Sequence, residues 1–194
     1  MTGCFPENSG IGRKIIKYAR LLYKKGLVAG ADGNLSVRLD NDRVLVTASG
    51  VHKGLMGPEE LIVVDNRGRQ GAGTSKASSE VPMHLAIYEK IGDARAIIHA
   101  HAPWTTAASL KRDRLDLSIL AEGRILFPEV KVVPFLPPGS VELAKAAARA
   151  AAENRVFILK AHGVVAWGKD LKEAFCLIEA LEHNVKTMAL RNYF

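Results

Sequence analysis

Apolar residues Ile11, Ile15, Ile16, Ala19, Leu22 and Leu27 recur at three- and four-residue spacing with Lys and Arg between them, which predicts an amphipathic helix from Ser9 to about Leu27. Ser9 stands where an N-cap is wanted, and Gly26 and Gly30 end the helix before the polar turn Gly30-Ala31-Asp32-Gly33-Asn34. The period then drops to two. Leu35-Ser36-Val37-Arg38-Leu39 alternates, Asn41-Asp42 turns the chain and Arg43-Val44-Leu45-Val46-Thr47 returns, so a β-hairpin is expected. Pro58-Glu59-Glu60 reads as a helical turn, Leu61 to Asp65 as a strand and Gly71 to Lys76 as loop. Ser78-Ser79-Glu80 opens a helix that runs through Tyr88, with Pro82 tolerated in its first turn. Ala96-Ile97-Ile98-His99-Ala100-His101-Ala102-Pro103 reads as a strand stopped by its proline, and Trp104 to Lys111 as a helix. Between Arg112 and Pro138 the periodicity is weakest, with Ile119-Leu120 and Val130 to Val133 as candidate strands. Ser140 caps an alanine-rich helix from Val141 to Asn154, Val156 to Leu159 and Val164 to Trp167 are strands, and Leu171 to about Arg191 is a long final helix. There is no repeat, low-complexity tract or linker, so residues 1–194 are expected to form a single domain.

Composition narrows the class. At 48% hydrophobic, 194 residues can bury a sizeable core without disulfides. Cys4 and Cys176 lie at opposite ends with neither ligand-like nor redox-like spacing. No apolar run approaches the roughly eighteen residues of a membrane span, and the N-terminus lacks a signal-peptide core. A cytoplasmic protein with no membrane partner is the expectation. The net charge of +7 is spread over helices and loops instead of forming a basic run with interleaved aromatics. That pattern disfavours nucleic acid and suits a small acidic substrate, such as a phosphorylated one.

The chemistry starts from His99 and His101. On a strand, residues i and i+2 share a face, so both imidazoles project together at a strand end, where sites commonly form. A third imidazole from elsewhere, with His162 beside Gly163 as the candidate, would complete a three-histidine metal site with an open position. Ordinary strand-end histidines would give the same short pattern. Glu80 is the second candidate: near a metal it could bind the ion at rest or move protons during turnover. Ser78 and Ser79 before it offer hydroxyls and helix N-terminal N–H groups to an anion, although a plain serine cap would look alike. Thr47-Ala48-Ser49-Gly50 likewise exposes donors that suit an oxyanion. His52, His84 and His183 read as surface or packing residues, and Trp104 and Trp167 as core.

Gly33-Asn34-Leu35-Ser36-Val37-Arg38, Thr47-Ala48-Ser49-Gly50, Ser78-Ser79-Glu80, His99-Ala100-His101-Ala102 and His162-Gly163 together resemble the class II aldolase and adducin family in order and spacing, essentially along the whole chain. Within it the chain looks most like the bacterial L-fuculose-1-phosphate aldolases. The resemblance implies an α/β fold of three layers, a central and largely antiparallel sheet with helices on both faces, assembled as a cyclic homotetramer with active sites between subunits. It also implies that His99, His101 and His162 hold one divalent metal per subunit, zinc foremost and manganese or cobalt as alternatives. Glu80 matches the acid/base carboxylate that also ligates the resting metal. Asn34, Ser49, Gly50, Ser78 and Ser79 match the pocket for the substrate phosphate.

The activity so implied is cleavage of a ketose 1-phosphate, such as L-fuculose 1-phosphate, to dihydroxyacetone phosphate and an aldehyde through a metal-stabilised enediolate. Sugar-phosphate 4-epimerases, dehydratases and decarboxylases share the scaffold, and a non-catalytic adducin-like assembly domain is the alternative of another class. Two places depart from the aldolase pattern. The segment Leu117-Ser118-Ile119-Leu120-Ala121-Glu122 has no tyrosine where the fuculose aldolases place one, and the sequence stops at Tyr193-Phe194 where they continue into a longer tail.

Overall fold

The computed structural model describes residues 10–71, 75–127 and 129–193. Its helices are α1 (Gly10–Lys24), α2 (Val81–Lys90), α3 (Pro103–Lys111), α4 (Ala121–Leu126), α5 (Val141–Glu153) and α6 (Leu171–Leu190). The strands are β1 (Asn34–Arg38), β2 (Arg43–Thr47), β3 (Leu61–Asp65), β4 (Ala96–Ala100), β5 (Arg114–Leu115), β6 (Val130–Val133), β7 (Val156–Leu159) and β8 (Gly163–Gly168). Among the described residues they form one sheet in the order β3-β2-β1-β4-β8-β7-β6-β5, antiparallel throughout except where β6 runs parallel to β7. β4 therefore lies in the interior of the sheet, with β1 on one side and β8 on the other.

The two-residue period of the strands sorts their side chains into two cores. Leu35, Leu45, Ile98, Ile158 and Val164 pack on one face with Ile15 and Leu22 of α1 and Ile178 of α6. Val44, Val46, Ile97, Phe157 and Val165 pack on the other with Met83 and Ile87 of α2 and Leu143 and Ala147 of α5. Each such side chain contributes about 1.5–3 kcal/mol when fully buried, and a slip of one residue would exchange the two sets, so the register is firmly held. Asn34, Ser36 and His99 are buried polar residues that the register fixes on the α2 side of the sheet.

Most elements fall where the pattern places them. The hairpin forms with Ser36 opposite Val46, and Ser140 caps α5 by accepting from the Leu143 amide at 3.1 Å. Ile119-Leu120, expected as a strand, is instead a turn leading into α4. The short strand beside β6 is Arg114–Leu115, because Asp116 turns the chain by accepting from the Ser118 amide at 2.9 Å. Trp104, expected in the core, is 36% exposed on α3 with Lys186 over its ring. Trp167 is half-buried and donates to the carbonyls of Ala151 and Asn154 at the end of α5. The expected Ser9 cap, Cys4 and the loop at 72–74 lie outside the described residues, while Cys176 is a free, exposed thiol on α6. No helix among the described residues is long and apolar enough to cross a membrane.

Candidate functional site

His99 is the next-to-last residue of β4, and His101 follows just past its end, so the strand period sends both rings to the α2 side. His162 comes from the turn between β7 and β8, which the β4–β8 register sets beside them by pairing Ala100 with Val164. The three ring centroids lie 4.7, 4.9 and 5.0 Å apart. Close approach at two glycines makes this possible. A Cβ on Gly163 would stand 2.4 Å from the Ala100 carbonyl and 3.0 Å from the His99 ring, and one on Gly33 would stand 2.6 Å from the His99 carbonyl. Ala161, just before His162, is held at φ 56°, a left-handed conformation that costs a non-glycine residue about 1 kcal/mol or more. Ser109 accepts from the Ala161 amide at 3.0 Å and helps to fix that turn.

The Nε2 atoms are the ones that converge, at 3.1 Å between His101 and His99 and 3.3 Å between His99 and His162. His99 donates its Nδ1–H to the Val164 carbonyl at 3.1 Å, which leaves Nε2 with its lone pair toward the cluster. Burial, then the neighbouring imidazoles, holds His99 well below the usual histidine range; His101 is lowered for the same reasons, burial first and His162 next. A divalent ion among the three Nε2 atoms would draw a lone pair from each ring. Tetrahedral ligands at about 2.0–2.1 Å from zinc lie roughly 3.3 Å apart, so the donor set fits such an ion. The buried Nδ1 of His162 and Oε1 of Glu80 have no hydrogen-bond partner.

Glu80 is the N-cap residue of α2, one position before the first turn where the sequence places it. Its carboxylate thus lies at the positive end of the helix dipole. Oε2 is 3.1 Å from His99 Nε2 and Oε1 is 3.7 Å from His162 Nε2. Asn34, directly opposite His99 across the β1–β4 pair, donates from Nδ2 to Glu80 Oε2 at 3.1 Å. Its Oδ1 faces His84 Nε2 at 2.5 Å. The amide of Asn34 is thereby engaged with Glu80 and His84. His84, read from the sequence as an ordinary packing residue, is instead buried against Asn34 and Ser36, and burial lowers its pKa to about 3. The available signal was its position four residues after Glu80 on the same helix face.

A cavity of about 190 Å³ opens beside these groups. It is lined by Asn34, Ser49, Gly50, Ser78, Ser79 and Glu80 together with His101 and His162, so every residue singled out from the sequence except His99 borders it. His99 is fully buried behind the other two rings. Asp32 also lines the cavity, with Oδ2 3.6 Å from His101 Nδ1, and the sequence reading passed over it as a turn residue. Buried Lys53 donates to the carbonyls of Ala31 and Val51 at 3.1 and 2.8 Å, tying the Asp32 turn to the Ser49-Gly50 segment. Burial lowers its pKa to about 8.

The chain is 37% identical over 177 residues to the 3-oxo-tetronate 4-phosphate decarboxylase of Haemophilus influenzae, covering 89% of this chain and 83% of that one. It is 35% identical over 178 residues to the L-fuculose phosphate aldolase of Methanocaldococcus jannaschii, covering 92% and 95%. Among solved structures, the L-fuculose-1-phosphate aldolase of Thermus thermophilus superposes with a TM-score of 0.84 at 30% identity over 95% of each chain. The family model described as "Class II Aldolase and Adducin N-terminal domain" matches residues 13–189. The sheet, the three converging imidazoles and these likenesses agree: the chain belongs to the class II aldolase and adducin family and is an enzyme of lyase type.

Proposed function

We propose that the protein breaks a carbon–carbon bond in a phosphorylated ketose to leave the enediolate of dihydroxyacetone phosphate, acting as a class II aldolase on a ketose 1-phosphate such as L-fuculose 1-phosphate. The observation that carries this reading is the Glu80 carboxylate, set within 3.1 Å of His99 and 3.7 Å of His162 at the wall of a cavity that three serines also line. His99, His101 and His162 would hold a divalent ion, with Glu80 as a further ligand when substrate is absent; three imidazoles suit zinc, with manganese or cobalt as alternatives. When bound, that ion supplies positive charge that offsets the negative charge developing on the substrate oxygens. Glu80 carries the proton that the enediolate gains or loses. The hydroxyls of Ser49, Ser78 and Ser79 and the backbone at Gly50 hold the phosphate, so its binding energy orients the bond to be broken.

A second reading is decarboxylation, favoured by the likeness to the Haemophilus influenzae enzyme. Loss of carbon dioxide from a 3-oxo-tetronate 4-phosphate leaves the same three-carbon enediolate. The reactions differ in the departing fragment: a nascent aldehyde must shed a hydroxyl proton as the bond breaks, whereas a carboxylate has none to shed. The absence of tyrosine from residues 117–122 bears on that half of the chemistry alone. Metal-loaded protein should be given L-fuculose 1-phosphate, related ketose 1-phosphates and 3-oxo-tetronate 4-phosphate. Dihydroxyacetone phosphate with an aldehyde supports the aldolase, and dihydroxyacetone phosphate with carbon dioxide transfers the assignment to the decarboxylase. None from any substrate defeats both.

This reading includes assembly as a cyclic homotetramer with sites between subunits. Ile125 and Leu126, adjacent on α4, and Trp104 and Ile119, which line one groove, give such an interface apolar surface to cover. Sedimentation at four times the 21.0 kDa chain mass tests it.

A further inference from the structure

Glu80, His84 and Tyr88 fall four residues apart along α2, and Asn34 and Ser36 two apart along β1, so one helix face lies against one strand face. All five residues are at most 5% exposed, so their polar atoms must find partners within the protein. Their order is forced from one end. An ionised Glu80 can only accept, so the Asn34 amide must turn its NH₂ toward Oε2, at 3.1 Å, and its carbonyl toward His84. His84 must then carry its hydrogen on Nε2, which donates to Asn34 Oδ1 at 2.5 Å. The bare Nδ1 accepts from the Ser36 hydroxyl at 2.6 Å, and Ser36 Oγ in turn accepts from the Tyr88 hydroxyl at 2.9 Å.

We propose that Tyr88, Ser36, His84 and Asn34 form a one-way hydrogen-bond chain that anchors Oε2 of Glu80 and leaves Oε1 as the oxygen that exchanges a proton with substrate, with His84 as the central positioning residue. This rests on Glu80 being the proton-transferring carboxylate. Packing alone does not require the arrangement, because apolar groups of similar shape would fill the space without desolvating five polar side chains. Val44, Val46 and Ile97 on that face of the sheet are apolar, while Arg38, two residues beyond Ser36, lies with its guanidinium 4.9 Å from the Tyr88 ring. The orphaned atom is also on the expected side: Oε1 is buried without a partner, whereas Oε2 is held by Asn34.

The test combines nitrogen NMR on metal-free wild-type protein with kinetics of metal-loaded variants on whichever phosphorylated substrate the wild type turns over. His84 should give the resonance pair of an Nε2–H tautomer; an Nδ1–H tautomer overturns the chain. His84→Leu should lower kcat roughly ten- to a hundredfold while KM stays within about twofold and metal content is unchanged. His84→Gln, which can still donate to Asn34, should recover several-fold of that loss, and Tyr88→Phe at the far end should lose only about two- to fivefold. An unchanged kcat in folded His84→Leu, or a loss shared equally by kcat, KM and metal content with no recovery in His84→Gln, overturns the proposal. Should His84→Leu fail to fold, Tyr88→Phe and the tautomer decide. A wild type that turns over no substrate removes the functional reading instead. In that event, crystals of His84→Leu and wild type decide, a Glu80 carboxylate shifted by about an ångström supporting the anchor and an unmoved one overturning it.

Discussion

Glu80 brings together three influences that a single residue rarely meets: the N-terminus of a helix, two imidazoles and a buried amide. Glu80→Gln keeps the side-chain volume and an oxygen for Asn34 but cannot take up a proton, so kcat should fall by about 10²–10⁴ with the three histidines still binding metal. Steady-state kinetics beside metal analysis would show it, and a kcat near wild type would remove Glu80 from proton transfer. His84 gives a prediction about stability. Burial lowers its pKa from 6.5 to about 3, so as pH falls the unfolded chain takes up a proton that the folded one refuses. The stability carried by the neutral ring is complete above the unfolded value and drains away toward the folded one. Between about pH 7 and pH 5 this ring alone should cost about 2 kcal/mol. Urea unfolding of metal-free protein should show a shallower pH dependence in His84→Gln than in wild type, and equal slopes would contradict the assignment. At this scale, the pairing of His99 with His101 was legible because strand period dictates it. The commitment of the Asn34 amide was not, because it depends on Glu80 and His84 arriving from a helix more than forty residues away.

Helix α3 starts two residues after His101, so whatever holds its first turn also holds the exit of the chain from the site. Glu182 of α6 does so, accepting from the Trp104 and Thr105 amides at 2.9 and 2.8 Å and from the Thr105 hydroxyl at 2.6 Å. A buried carboxylate thus caps a helix N-terminus from a different helix, satisfying donors that would otherwise be orphaned. Glu182→Ala should therefore destabilise the protein by about 2–4 kcal/mol and weaken metal binding about tenfold, with Glu182→Gln intermediate. Urea unfolding and competition with a chelator measure the two effects, and lost stability with unaltered metal affinity would uncouple α3 from the site. Nothing in the local pattern around Pro103 announces this cap, since its acceptor lies 77 residues ahead of Thr105. Long periodic elements such as α1, α5 and α6 were legible because propensity and pattern agree there, and at α5 the Ser140 cap agrees as well. The edge strand β5 was missed because two residues carry no period, and the pairing partner alone decides which two they are.

At the scale of the whole chain, β4 joins β1 on one side to β8 on the other, and the candidate metal ligands straddle the β4–β8 seam near its end. That strand order could not be read from periodicity, and the resemblance to a known family implied only a largely antiparallel sheet with helices on both faces. Its consequence is that an ion bound by His99, His101 and His162 ties together two segments far apart in sequence but adjacent in space. Such an ion stabilises only the folded chain, by about 4 kcal/mol when it stands at a thousand times its dissociation constant. Stripping the protein with a chelator should therefore lower Tm, and zinc should restore it. His162→Ala should unfold at the same temperature with or without chelator, because two imidazoles hold the ion far more weakly than three. His183→Ala, on the exposed face of α6, should keep the full difference. Equal chelator sensitivity in His162→Ala and His183→Ala would mean that the stabilising ion sits elsewhere, and that the meeting of the three rings serves packing alone.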